Sequence, residues 1–259
     1  MAIKNNLFRL KELRDITIII LILAFGFSFR FPGTFSFNAW LSAFFLSLIL
    51  VFISIFAHEI VHKLVARKFD ALASPQLWWS GIIAFFIILL LSGGLIVFAA
   101  PWAITIKPYK TYRLFRPGRV YPHLGPREKA IIGLSGPMTN LAIAVLAKIL
   151  SPFLGMVANK LIIINASLAI FNLFPFFTVL PIMFFQWAKL KPIEAPYVEG
   201  EFVFFGNRPL WVFVFIFTLV TSLSLLFLSA FVSVVLALFF AVTLSIVWHW
   251  YLELQIYPK

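Results

Sequence analysis

The sequence predicts an all-α polytopic membrane protein with about six transmembrane helices and a re-entrant or interfacial hairpin after the second span. Three observations predict it. Of the 259 residues, 63% are hydrophobic and 12% charged, and the mean hydropathy is +1.04. A soluble domain is about half apolar and roughly a quarter charged, so a soluble enzyme and a disordered chain are both excluded. Apolar runs recur at close to the ~20 residues needed to cross about 30 Å of hydrocarbon. Lys and Arg gather between those runs, where they set orientation.

The first run, Ile16 to Phe29, follows Lys4, Arg9, Lys11 and Arg14. It is read as a short uncleaved span with its N-terminus in the cytoplasm, because no small-residue cleavage site follows it. Pro32-Gly33 turns the chain into a second span from Trp40 to about Leu64, whose C-terminal end meets Lys63, Arg67 and Lys68 and so lies inside. The stretch from Trp78 to Ile106 is broken by Ser92-Gly93-Gly94 and by Pro101, and a strongly basic loop (residues 107–129) follows it. A single crossing would put that loop outside, against the positive-inside tendency. A hairpin turning near Gly93-Gly94 keeps both ends in the cytoplasm. The loop itself is expected to be short strand or coil.

A third span is expected from about Ala130 to Leu150 and a fourth from about Val157 to Phe174. After Pro175 and Pro181 comes a polar segment from Lys189 to Gly200. Two more spans, about Pro209–Leu228 and Ser229–Trp250, close as a hairpin and leave Lys259 inside. The whole, residues 1–259, is read as one membrane-embedded domain. Its core covers about residues 40–211, with an accessory C-terminal hairpin over about 209–250. The net charge of +12 is then topological, with anionic lipid rather than nucleic acid as its partner.

With no Cys, a disulfide framework, a thiolate metal site and a cysteine nucleophile are excluded. Any metal must be held by His and carboxylate. Ionisable residues inside a span are costly and mark function by default, and the second span ends in Phe56-Ala57-His58-Glu59-Ile60-Val61-His62. Four residues on a helix bring about 40° of rotation and one turn of rise, so His58 and His62 can reach one ion. Glu59 lies beside them, placed to take a proton. This is the His-Glu-x-x-His arrangement of zinc metalloproteases. Two His leave such an ion short of a ligand. His123 and His249 lie in the basic loop and near the C-terminal end. Asp15 and Asp70 sit in charged flanks and are expected to cap or solvate helix ends. Glu194, Glu199 and Glu201 cluster after the fourth span, and composition does not choose among them. A competing pattern, Gly133-Leu134-Ser135-Gly136, matches the Gly-x-Ser-Gly of rhomboid-type serine proteases, with Ser135 as nucleophile and His249 as its partner.

The combination of His58-Glu59-x-x-His62, Ser135-Gly136-Pro137-Met138-Thr139-Asn140 and Asn172-Leu173-Phe174-Pro175 resembles the site-2 protease family of intramembrane zinc proteases. That family follows its Asn-x-x-Pro with Asp-Gly, which supplies the last ligand. Here Leu180-Pro181 stands where a compact motif would place it, and Ala195-Pro196-Tyr197-Val198-Glu199-Gly200 looks like the missing half, with Glu for Asp and residues 176–195 inserted. The resemblance implies one Zn²⁺ per chain held by His58, His62 and Glu199, with Glu194, Glu201 or no third ligand as alternatives. It implies Glu59 as general base and then acid, and Asn172 as the donor to the developing oxyanion. Gly136, Pro137 and Asn140 become a structural motif opening the third span. The substrate implied is a transmembrane helix of another membrane protein. The lack of Cys and the compact six-span plan lean toward a prokaryotic plasma membrane. The breaks at Ser92-Gly93-Gly94 and Pro101 are consistent with an edge strand in the region of residues 78–106 that holds the unwound peptide, or with an apolar membrane hairpin that makes no substrate contact. An inactive protease-like scaffold or chaperone is the alternative.

Overall fold

A computed structural model describes residues 7–29, 36–108, 124–175 and 197–250. Helix α1 (Leu10–Ser28) buries a stripe of Ile16, Ile19, Ile20, Leu23 and Ala24 against α2 (Phe37–Lys68). Along α2 the buried positions are Ser47, Leu50, Val51, Ser54, Ile55, His58, Glu59, His62, Lys63 and Ala66, which recur at steps of three and four. One face of a 3.6-residue helix is therefore turned inward. The inward face carries the polar groups, while Ile49, Phe52 and Ile53 are exposed. That is the reverse of a soluble helix and suits an apolar solvent.

Asp70 ends α2 in the left-handed region, φ 52°, as residues with short polar side chains do at helix C-termini. The chain then forms β1 (Ala71–Leu77), which pairs antiparallel with β2 (Trp102–Pro108), Ala71 opposite Pro108 and Leu77 opposite Trp102. The fold is thus mostly helical with a two-stranded sheet, which qualifies the all-helical expectation. Pro75 fits because it faces Ile104, whose N–H turns away from β1 to donate to the Tyr197 carbonyl at 3.1 Å. At such a non-bonded pair the missing proline N–H costs the ladder nothing.

Between the strands lie α3 (Trp79–Leu91) and a turn in which Gly93 and Gly94 take φ 60° and 81°, a conformation glycine adopts without strain. Thirteen residues of α3 rise only about 20 Å, short of a bilayer's hydrocarbon core. The sheet brings both ends of this excursion together.

Helix α4 (Pro126–Ile149) starts with Pro126 in its first turn, where a proline's missing N–H is harmless. The Gly136-Pro137 pair lies well inside α4, so it does not open the span as expected. The short α5 (Ser151–Leu154) and Gly155 lead into α6 (Met156–Leu173). Helix α7 (Glu199–Gly206) packs against both α4 and α6, and α8 (Arg208–Ser224) and α9 (Ala230–Trp248) form an antiparallel pair. Among the described residues, α2, α4, α6 and α9 are long and apolar enough to cross a membrane, and α3 and α8 are shorter apolar helices.

Candidate metal centre

The inward stripe of α2 ends in a closed polar pocket. His58, Glu59 and His62 are at most 1% exposed, and so is Glu199, the first residue of α7. Glu199 reaches the pocket because Gly200 lets α7 abut the end of α6. A Cβ at Gly200 would collide with the Leu173 carbonyl, which also accepts a 2.9 Å hydrogen bond from Trp211 Nε1. Backbone cannot yield as a side chain can, so this contact requires glycine.

Glu199 Oε1 lies 2.8 Å from His58 Nε2 and 3.0 Å from His62 Nε2, across 141 and 137 residues of sequence. Burial pushes the Glu199 carboxyl up, but the two imidazoles that face it outweigh this and hold it down at about 2. The residues fit a divalent cation on three counts. One ligand atom from each of His58, His62 and Glu199 falls within 4.8 Å of the others. A tetrahedral zinc site with bonds of about 2.1 Å holds its donors roughly 3.4 Å apart, within about half an ångström of the separations seen. Finally, the second carboxylate oxygen of Glu199 and Oε2 of Glu59 are buried and lack a hydrogen-bond partner among the described residues, an arrangement that is costly unless something else satisfies them.

Helix α4 closes the pocket from the side. A Cβ at Gly136 would strike the imidazoles of both His58 and His62, so this glycine permits the close approach of α2 and α4. Ser135 Oγ lies 3.0 Å from His62 Nδ1 and donates to the Ile132 carbonyl at 2.6 Å. Among the described residues, His249 is not a hydrogen-bond partner of Ser135. Asn140 Nδ2 lies 2.9 Å from His58 Nδ1. Trp102, at the start of β2, sets its ring edge-on to His58 with centroids 5.8 Å apart.

Of the alternative third ligands, Glu201 is occupied elsewhere: its Oε2 accepts from the Val198 N–H at 3.2 Å, capping α7. Glu194, His123, Pro196 and all of the 176–195 insertion lie outside the described residues. Asn172, near the end of α6, is 1% exposed, and its Nδ2 lacks a partner among the described residues. Asp15, expected to cap or solvate a helix end, is instead buried and ion-paired with Arg14 at 2.7 Å.

Sequence reading treated Lys63 as a flanking topological charge, yet it is 6% exposed. Its Nζ donates to Glu12 Oε2 at 2.9 Å and to the Ala73 carbonyl at 3.1 Å, while Ser74 Oγ donates to Glu12 Oε1 at 2.7 Å. This network ties α1 and β1 to the helix that carries the two histidines. A charge at the end of an apolar run gave no signal of it.

Comparison with known proteins points to the same family over part of the chain. The profile described as Peptidase family M50 matches residues 46–158. A protein of Methanocaldococcus jannaschii, provisionally named a zinc metalloprotease, is 35% identical over 139 residues. That match covers 54% of this chain and 62% of the relative, so the chain spans less than two thirds of the relative's length. No solved structure matches the chain significantly. The His-Glu-x-x-His motif lies inside the matched region and its histidines face Glu199; over that region the chain is similar to peptidase family M50, the site-2 protease family.

Proposed function

We propose that this protein is an intramembrane zinc endopeptidase that hydrolyses a peptide bond in the transmembrane segment of a membrane-protein substrate. The observation that carries the reading is the convergence of His58, His62 and Glu199 on one point beside a buried, unpartnered Glu59 oxygen. His58 and His62 would hold the ion through Nε2 and Glu199 through its carboxylate. Zinc held there supplies Lewis acidity toward a carbonyl and lowers the pKa of water. Glu59 acts first as general base, taking a proton from the attacking water, and then as general acid, passing it to the leaving amide nitrogen. Asn172 offers its Nδ2–H, without a partner among the described residues, to the carbonyl oxygen as negative charge develops.

A peptide bond inside a helix is shielded by its own hydrogen bonds, so the substrate must be presented extended. The outer edge of β2 suits this by strand addition. It starts at Trp102, beside His58, and its Ile104 N–H already bonds an extended segment at Tyr197. Pro75 removes a donor from the opposite edge of the sheet. We read α1, α2, α4, α6, α8 and α9 as six spans with both termini cytoplasmic, and α3 with its return to β2 as a hairpin entering from one side. The chain is then one domain in a prokaryotic plasma membrane, with the α8–α9 pair as its accessory hairpin.

Zinc analysis and cleavage of a membrane-protein substrate by purified enzyme test the reading. Wild type should carry about one zinc per chain, His58→Ala should lose it, and Glu59→Gln should keep it while cleavage falls by about 10²–10⁴. Undiminished cleavage by Glu59→Gln would refute the mechanism. A metal-free wild type would refute the metalloprotease reading and favour the scaffold.

A further inference from the structure

Each ligand imidazole has a second nitrogen, and α4 meets both. We propose that Ser135 and Asn140 are positioning residues that set the tautomers of His62 and His58, and through them the affinity of the site for a divalent cation. The inference rests on the reading of His58, His62 and Glu199 as the metal ligands.

The argument at His62 is a count of hydrogens. Ser135 Oγ and the Ile132 carbonyl oxygen are 2.6 Å apart, a separation that two oxygens keep only with a hydrogen between them. The carbonyl has none to give, so the serine hydroxyl supplies its single hydrogen there. Toward His62 Nδ1, at 3.0 Å, Ser135 can then only accept. The hydrogen of a neutral His62 is thus assigned to Nδ1, which leaves Nε2, the nitrogen facing Glu199, with its lone pair for a cation. Ser135 thereby favours the tautomer the site needs.

Asn140 stands in the same relation to His58, with one difference. The two ends of an amide are distinguished only by their partners. With Nδ2 toward His58 Nδ1 at 2.9 Å, the ring accepts there and carries its hydrogen on Nε2, where Glu199 Oε1 receives it at 2.8 Å. That arrangement leaves Asn140 Oδ1 buried and without a partner among the described residues. With the amide turned by half a rotation, Oδ1 accepts from Nδ1–H and Nε2 is free for a cation. Ser135 is therefore fixed and Asn140 adaptable: its amide turns when the site fills. Orienting partners of this kind commonly change metal affinity by 10–100-fold.

The test measures Zn²⁺ affinity of the full-length protein in detergent, by competition with a chromogenic chelator, with thermal melting of each metal-free variant as a check on folding. Ser135→Ala and Asn140→Leu should each bind zinc 10–100-fold more weakly than wild type. Asn140→Asp, which can only accept, should bind at least as tightly as wild type, an outcome that a packing role for the amide does not give. Thr139→Ala, on the same helix with its hydroxyl bonded to the Ser135 carbonyl, should leave the affinity unchanged. Zinc affinity within threefold of wild type in both Ser135→Ala and Asn140→Leu would overturn the inference while leaving the ligand assignment standing. Loss of binding in Asn140→Asp equal to that in Asn140→Leu would also overturn it. A His58→Ala variant that binds zinc as wild type does would remove the ligand assignment, and the inference with it.

Discussion

Replacing Gly136 by Ala adds one methyl group at the point where α4 meets both imidazoles. The new Cβ would lie 2.5 Å from His58 Nε2, about 0.9 Å short of the 3.4 Å at which ordinary contact begins, and still closer to His62 Nε2. The imidazoles are held at their far nitrogens by Ser135 and Asn140, which belong to the same helix as the intruding methyl, so neither can move away independently of α4. Either α2 and α4 separate by nearly an ångström or the rings turn out of the pocket. Overpacking of this size costs about 1–3 kcal/mol, which leaves the fold standing. The metal site tolerates far less, since ligand distances must hold to about ±0.2 Å. Gly136→Ala should therefore melt, metal-free, only modestly below wild type, yet bind zinc at least about 100-fold more weakly. The readouts are chelator competition and metal-free thermal melting of the purified protein. Zinc affinity within threefold of wild type would show that the helices have slack at this contact, and the close-approach reasoning would fail.

Gly200→Ala should be the more damaging glycine substitution, because the group it meets is the Leu173 backbone rather than a ring; both melting temperature and zinc affinity should fall. Trp211→Phe removes the donor to the Leu173 carbonyl and should cost about 1–2 kcal/mol, read as a lower melting temperature. The Glu12–Lys63 pair joins α1 to the helix of the two histidines. At neutral pH Glu12→Gln should destabilise by up to about 3 kcal/mol, since it leaves Lys63 buried and unpaired. A melting temperature equal to that of wild type would refute the assignment.

The parts of the site that carry ionisable groups were legible in the sequence, because such groups are few among the spans. His58, Glu59 and His62 stood out on those grounds, and Glu199 followed from the resemblance despite the long insertion before it. The sheet was legible only as an expected strand in the region of residues 78–106, without its partner or its bounds. β1 reads Ala-Leu-Ala-Ser-Pro-Gln-Leu, with few β-branched or aromatic residues and a proline. Its partner β2 lies within an apolar run whose composition suits a helix equally well, and pairing across residues 78–101 has no local signature. The Gly-Pro motif was legible as a motif but misplaced as a helix start. Proline is common in a first turn, and it is Pro126 that occupies it. Ser135 was legible as a candidate nucleophile and Asn140 as part of a structural motif, but not as partners of the histidines, since a hydroxyl or amide on a helix is ordinary until its neighbour is known to be an imidazole.

The separation of Glu199 from the histidines bears on how such an enzyme is made. Its two imidazoles lie on one helix and are in place once that helix is inserted, but the carboxylate that faces them arrives 137 residues after His62 and is seated only when α7 docks against α6 through Gly200. A nascent or truncated chain ending before residue 199 therefore holds two of the three proposed ligands. On the proposed mechanism, such a chain should show no hydrolytic activity.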